Sequence, residues 1–208
     1  HLSIRRQRQM CIRDRVWTNK TGTSTISYSS CAIANGTVFI GSKDGWVYAF
    51  DETTGHLVWK NQTGGAIESS AAVSNGKVFI GSLDGKVYAL DAMTGGITQK
   101  LEIGPHVYSS PAAADSMVFI GSYNGTVYAL DENLQVKWKN NATGSSIYSS
   151  PAVADGMVFV GSLDRKVYAF NETNGDVVWV SEPTSGQIRY SSPAVKDDKV
   201  FVGSGNYA

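Results

Sequence analysis

Three histidines, two cysteines and eighteen acidic residues are the side chains with which this chain of 208 residues could do acid–base, nucleophilic or metal chemistry. His56 lies in a turn and His106 follows Pro105 in a loop. Neither has a second histidine or a carboxylate at metal-ligand spacing, so both are expected to face solvent. Cys31 stands alone once the first residues are set aside, which excludes an internal disulfide framework and a cysteine-based zinc site; it is expected to be a small buried filler. Glu68 occupies a position that is tyrosine in the matching segments, and a carboxylate at the start of a strand is either solvated or a ligand or base. No residue is assigned a catalytic, cofactor-binding or metal-binding role on this reading. Lys43, Trp46, Tyr123, Arg165 and Arg189 also depart from their repeated context, and exposed aromatics and arginines are enriched at protein interfaces. Together with Glu68 and His106 they form a candidate interaction surface.

The elements that must position these residues are repeated. "YSSCAIANGTVFIGS" from Tyr28 returns as "ESSAAVSNGKVFIGS" from Glu68, "YSSPAAADSMVFIGS" from Tyr108, "YSSPAVADGMVFVGS" from Tyr148 and "YSSPAVKDDKVFVGS" from Tyr190, at spacings of 40, 40, 40 and 42 residues. Periods of this length indicate stacked supersecondary units. Each unit reads as four strands: "SSPAV", then "MVFVGS", then "KVYALD" and finally a strand such as "HLVWK" or "DVVWV". An Asp-Gly or Asn-Gly hairpin joins the second strand to the third, where glycine supplies positive φ; at Asp164-Arg165 the glycine is lost, predicting strain or another turn type. Asp51, Asp91, Asp131 and Asn171 recur once per unit and are read as turn caps. The fold class is all-β: a partial β-propeller of four-stranded antiparallel blades of about 40 residues.

The balance of 18 basic and 18 acidic residues conceals a cluster, because five arginines fall within the first fifteen positions. The run Arg5 to Asp14 resembles the in-frame translation of a transposase adaptor used in preparing DNA sequencing libraries. Residues 1–15 are therefore excluded from fold reasoning, as a tag would be. The remainder carries 13 basic and 17 acidic residues, which removes the support for a nucleic-acid partner. No apolar run is long enough to span a bilayer as a helix. "VWTNKTG" around Trp17 reads as a lone fourth strand, and "VFVGSGNYA" as the second strand of a fifth unit, so residues 16–208 are expected to hold four complete blades over about 27–188 and partial blades at both ends.

The cycle Ser-Ser-Pro-Ala, Val-Phe-Ile-Gly-Ser, Asp-Gly-x-Val-Tyr-Ala-Leu-Asp and Thr-Gly-x-x-x-Trp resembles the repeat of the pyrroloquinoline-quinone-like (quinoprotein) β-propellers, which include quinoprotein alcohol dehydrogenases and BamB-type outer-membrane assembly lipoproteins. The resemblance implies a complete ring of seven or eight blades, of which this chain would be an open part. The outer-strand tryptophan should pack over neighbouring blades, where its area dominates the local burial; Gln99 takes that position in the unit from Glu68, where the blade contact is expected to be weaker. The dehydrogenase branch would bring pyrroloquinoline quinone with calcium, a vicinal cysteine pair, an aspartate base and Glu and Asn calcium ligands. No Cys-Cys occurs here.

Asn19, Asn35, Asn61, Asn124, Asn141 and Asn171 each begin Asn-x-Thr, the acceptor for N-glycosylation in exported proteins. The same pattern arises when asparagine and threonine populate repeated turns. The leading expectation is a non-enzymatic, exported propeller that offers a loop face, from 61–66, 102–107, 140–146 and 181–189, to another protein or to a component of the cell envelope or surface. No cofactor is expected on that reading. A part of a quinoprotein dehydrogenase and an extracellular sensor domain of a kinase-like receptor are the alternatives.

Overall fold

Valine, phenylalanine and tyrosine at alternating positions, closed by turns rich in Asn, Asp and Gly, favour short strands linked as hairpins. In the computed structural model, which describes residues 16–22 and 25–205, the first unit comprises β1 (Ala32–Ala34), β2 (Thr37–Gly41), β3 (Trp46–Asp51) and β4 (Leu57–Gln62). The second comprises β5 (Ala72–Ser74), β6 (Lys77–Gly81), β7 (Lys86–Asp91) and β8 (Ile97–Glu102). The third runs through β9 (Ala112–Ala114), β10 (Met117–Gly121), β11 (Val127–Asp131) and β12 (Val136–Asn140). The fourth runs through β13 (Ala152–Ala154), β14 (Met157–Gly161), β15 (Val167–Asn171) and β16 (Val177–Val180), and β17 (Ala194–Lys196) pairs with β18 (Lys199–Phe201). Every four-stranded sheet is antiparallel with its strands in chain order. Residues 1–15, read as adaptor-derived, lie outside the described residues.

The first turn of each unit places two residues in left-handed backbone, such as Asn35 at φ 50° and Gly36 at 74°, the geometry that matches strand twist in a two-residue hairpin. The second hairpin uses Gly45, Gly85 and Gly125 at φ 83–85°. Arg165 keeps the same turn at φ 76°, so the unit retains the hairpin geometry and carries the backbone strain of a non-glycine residue.

Blades bury one another. In β6, β7 and their counterparts nearly every residue is buried, because neighbours pack on both faces of the sheet. One apolar cluster joins Phe39, Val47 and Trp59 of the first blade to Val78, Ile80, Tyr88 and Leu90 of the second. The outer-strand indole reaches over the next blade as expected: Trp59 donates from Nε1 to the Ala92 carbonyl at 2.9 Å, and Trp138 to that of Glu172 at 2.8 Å. A Cβ at Gly95 or Gly175 would lie 2.5 Å from the ring carbons of these tryptophans, so glycine there is a packing requirement as well as a turn requirement. Trp17 makes the corresponding bond to Glu52, at 2.8 Å.

The innermost strands neighbour one another in the order β1, β5, β9, β13, β17, while among the described residues β1 has no comparable contact with β17. The arrangement is an arc of blades around a central channel, and its two end units meet at the channel through Tyr28 and Tyr190. Among the described residues no helix is long and apolar enough to cross a membrane.

Candidate functional site

The channel face is built by the Ser-Ser pair. The first serine lengthens its own blade: Ser69 Oγ accepts from Gly81 N at 2.8 Å and donates to the Gly81 carbonyl at 3.0 Å, and Ser149 does the same with Gly161. The second serine links blades. Ser30 N donates to Ser70 Oγ at 2.8 Å, Ser70 N to Ser110 Oγ at 2.8 Å, Ser110 N to Ser150 Oγ at 3.1 Å and Ser150 N to Ser192 Oγ at 3.1 Å. A backbone donor that a short strand leaves unpaired is thereby satisfied by its neighbour, which explains the recurrence of this dipeptide.

Above the serines, Tyr28, Glu68, Tyr108, Tyr148 and Tyr190 line the mouth of a cavity of about 220 Å³. Tyr28 stacks on Tyr190 with ring centroids 4.8 Å apart, and Tyr108 on Tyr148 at 4.4 Å; Tyr148 and Tyr190 meet edge to face at 6.0 Å. Glu68, which breaks the tyrosine series, forms a 2.9 Å ion pair with Lys43, whose ammonium also lies over the Tyr28 ring. The Lys43 pKa is raised, first by its hydrogen bond to Glu68. Arg189 lies over Tyr148 and Tyr190 at 4.8 and 5.2 Å. Burial, reinforced by neighbouring tyrosines and Glu68, pushes the Tyr108 hydroxyl up, so it remains a protonated donor at neutral pH.

Strand direction places all seven proposed interaction residues at this end of the blades, in β2–β3 hairpins and their counterparts or in the segments leading to the next inner strand. Lys43, Glu68, His106, Tyr123 and Arg189 converge on the tyrosine cluster. His106 is exposed, with ring contacts to Tyr108 and Tyr123 at 5.9 and 5.7 Å, and its Nδ1 bonds the Leu83 carbonyl at 2.7 Å. Of the seven, Glu68 alone lines the cavity itself, and Lys43, His106, Tyr123 and Arg189 adjoin it through contacts with the tyrosine rings. Trp46 lies under the Lys60 ammonium, and the exposed Arg165 supplies its carbonyl to Thr184. Cys31 is exposed rather than a buried filler. Its counterparts Pro111, Pro151 and Pro193 are buried and Ala71 is half-buried, and among the described inner strands β1 has a close neighbour in β5 alone.

The recurrent turn acids act within their own turns. Asp51 and Asp91 each accept from two backbone amides and a threonine hydroxyl, which lowers their pKa. The hairpin aspartates, read from the sequence as turn formers alone, also tie the upper hairpin to the third strand: Tyr48, Tyr88 and Tyr168 donate to Asp44, Asp84 and Asp164 at 2.7, 2.5 and 2.5 Å. The signal of this tie was the Asp-x-x-x-Tyr spacing. The Asn-x-Thr asparagines divide. Asn19 and Asn61 spend their amide nitrogens on the Gly55 and Gly95 carbonyls, Asn124 and Asn171 accept backbone bonds in turns, and Asn35 and Asn141 are exposed.

A family model described as outer membrane protein assembly factor BamB matches residues 13–98, 43–145 and 98–207. The chain belongs to the BamB family. Among solved structures, BamB from Moraxella catarrhalis superposes with a TM-score of 0.72 at 21% identity, over 90% of this chain and 58% of that one. The computationally designed Ika8 protein superposes with a TM-score of 0.75 at 21% identity, over 84% of this chain and 54% of that one. Both likenesses establish the propeller fold, and the chain spans a little over half the length of each. The comparison with curated proteins gave no match. For this BamB-family chain the described residues do not fit pyrroloquinoline quinone with calcium: the cavity lining supplies one carboxylate, Glu68, already held by Lys43, and no group of three His, Cys, Asp or Glu side chains converges among the described residues.

Proposed function

We propose that this protein is an exported, non-enzymatic propeller that serves as a protein-interaction or assembly scaffold of the cell envelope or surface, and that the channel-mouth end is its contact face. The observation that carries the reading is convergence: five of the seven side chains that break the repeat with interface-type chemistry gather around one tyrosine cluster. A repeated scaffold concentrates function where its symmetry is broken, on loops held by rigid strands. The family's description as an outer membrane assembly factor supports both the scaffold role and export.

The test compares two quadruple alanine variants of the intact protein in its native host. One removes Lys43, Glu68, Tyr123 and Arg189; the other removes Met93, Asn133, Thr173 and Asn174 from the turns at the opposite end. Loss of the co-purifying partner is expected for the first set alone. Equal retention by both, or loss with the second set alone, would overturn the assignment.

A further inference from the structure

We infer that Tyr28 is a two-position cap of the channel cavity, held over it by Tyr190 in this structure and released when Ser29 takes up the hydrogen bond that its counterparts make. The first serine of each later unit accepts from a glycine amide. Gly81 N donates to Ser69 Oγ at 2.8 Å, Gly121 N to Ser109 at 3.1 Å, Gly161 N to Ser149 at 2.9 Å and Gly203 N to Ser191 at 2.7 Å. Ser29 precedes Gly41 by the same interval, yet its Oγ is buried with no hydrogen-bond partner. The residue before it accounts for the difference. Tyr28 stands at φ 65°, whereas none of Glu68, Tyr108, Tyr148 and Tyr190 has positive φ. A left-handed aromatic residue is a strained backbone state, and a buried hydroxyl without a partner is unfavourable in its own right. Both penalties fall on two successive residues.

What offsets them lies across the channel. Tyr28 stacks on Tyr190 with ring centroids 4.8 Å and planes 4° apart, and the Lys43 ammonium lies 5.3 Å from the Tyr28 ring centre. A stacked pair and a cation over a ring are each comparable in size to one strained residue or one missing hydrogen bond, so the two positions lie close in free energy. The hinge between them is short. On one side the Thr25 carbonyl accepts from Lys43 N at 3.4 Å; on the other, Ser30 N is bonded to Ser70 Oγ at 2.8 Å. Returning Tyr28 to the backbone of its counterparts turns its ring from Tyr190 and brings Ser29 Oγ to Gly41 N while Ser30 keeps its bond. Tyr28 lines the cavity of about 220 Å³, so its departure removes one wall and uncovers a face of Tyr190. The cap goes beyond the scaffold reading and holds whatever the mouth receives: an occupant of the cavity draws on the uncapped form, and its apparent affinity is reduced by that form's share.

The experiment is NMR on the full chain, with relaxation dispersion and hydrogen exchange read at single backbone amides. In the parent, the amides of Tyr28, Ser29 and Gly41 are expected to show exchange between two states that Tyr148, Ser149 and Gly161 lack. Ser29→Ala removes the orphaned oxygen from the capped form and the glycine bond from the uncapped one, so it should quench that exchange. Tyr190→Leu removes the stack and should slow hydrogen exchange at Gly41 about tenfold, the scale of one hydrogen bond. Adding Ser29→Ala to Tyr190→Leu should restore the parent rate. Near-ultraviolet circular dichroism identifies loss of packing in Tyr190→Leu, and the Ser29→Ala arm, which deletes one oxygen, stands without it. Two-state exchange that persists in Ser29→Ala overturns the inference, as does slowing at Gly41 that survives the added Ser29→Ala. Flat dispersion in the parent together with an unchanged Gly41 rate in Tyr190→Leu would also overturn it, because Ser29 would then have no second seat.

Discussion

Lys77 donates from Nζ to the backbone carbonyl of Glu132 at 3.0 Å, taking the acceptor that a tryptophan indole occupies at other blade interfaces. The substitution is traceable through strand register: Gln99 stands opposite Ala89 as Trp59 stands opposite Ala49 and Trp138 opposite Ala129. With the indole absent, the turn glycine of the next blade is no longer required. Leu134 occupies that turn at φ 56° and joins the cluster containing Phe79 and Ala89, 3% exposed. Trp-with-Gly has been exchanged for Gln-with-Lys77 and Leu134.

This exchange predicts unequal costs at two interfaces. Trp59→Ala should destabilise by roughly 3–5 kcal/mol, the cost of emptying a packed aromatic site. Lys77→Ala should cost only about 1 kcal/mol, because its bonds are partly solvated. Leu134→Gly relieves roughly 1 kcal/mol of backbone strain but removes a buried leucine worth about 2–5 kcal/mol, so it should still destabilise. Urea unfolding of the three variants checks the order, and Leu134→Gly as stable as the parent would refute the compensation.

Two glycines with the same backbone separate strain from packing. Gly76, at φ 73°, has nothing within 4 Å of an added Cβ, whereas Gly95, at φ 74°, has the Trp59 ring at 2.5 Å. Gly76→Ala should cost about 1 kcal/mol of left-handed backbone strain. Gly95→Ala should cost at least about 2 kcal/mol, since overpacking adds to that strain. Matched thermal melts would show the difference.

Alkaline unfolding should report the hairpin tyrosines. Burial first, and then the hydrogen bond to an aspartate, push Tyr48, Tyr88 and Tyr168 up to about 12. An unfolded tyrosine ionises near 10. The neutral hydroxyl is therefore favoured by folding: this stabilisation is complete below about pH 10 and is lost as pH rises toward 12. Tyrosinate absorbance should show a late-titrating set, and Asp84→Asn should bring the Tyr88 step to lower pH. A single transition near 10 in the folded protein would contradict the geometry.

In a host that glycosylates exported proteins, mass spectrometry should find glycan on Asn35 and Asn141 and not on Asn19 or Asn61. The latter two amides are committed to glycine carbonyls at 2.8 and 2.7 Å, and a glycan on nitrogen would displace the neighbouring blade. Occupancy at Asn61 in folded protein would show that this contact is dispensable.

The strands were legible because each unit states its alternation and its Asn-Gly or Asp-Gly turns within a few residues, and five copies remove the ambiguity of any one. Cross-blade partners were not. The sequence shows a serine every 40 residues but not that the backbone amide of one bonds the hydroxyl of the next. Gln99 could be recognised as a missing tryptophan, whereas its compensation comes from Lys77 and Leu134, which adjoin it only across the interface. Likewise Lys43, Glu68, Tyr123 and Arg189 stood out singly as departures, and their convergence depends on how blades fan around the channel. Cys31 was misjudged because burial at its position depends on an adjoining inner strand rather than on local pattern.

The most direct measurement of the central claim is site-specific photo-crosslinking in the native host, with the photoreactive residue placed singly at Lys43, Tyr123, Met93 and Thr173 of the intact protein. The scaffold account predicts one discrete adduct of the same partner from Lys43 and Tyr123 and none from Met93 or Thr173. Adducts confined to Met93 and Thr173, or absent from both mouth positions, would contradict it.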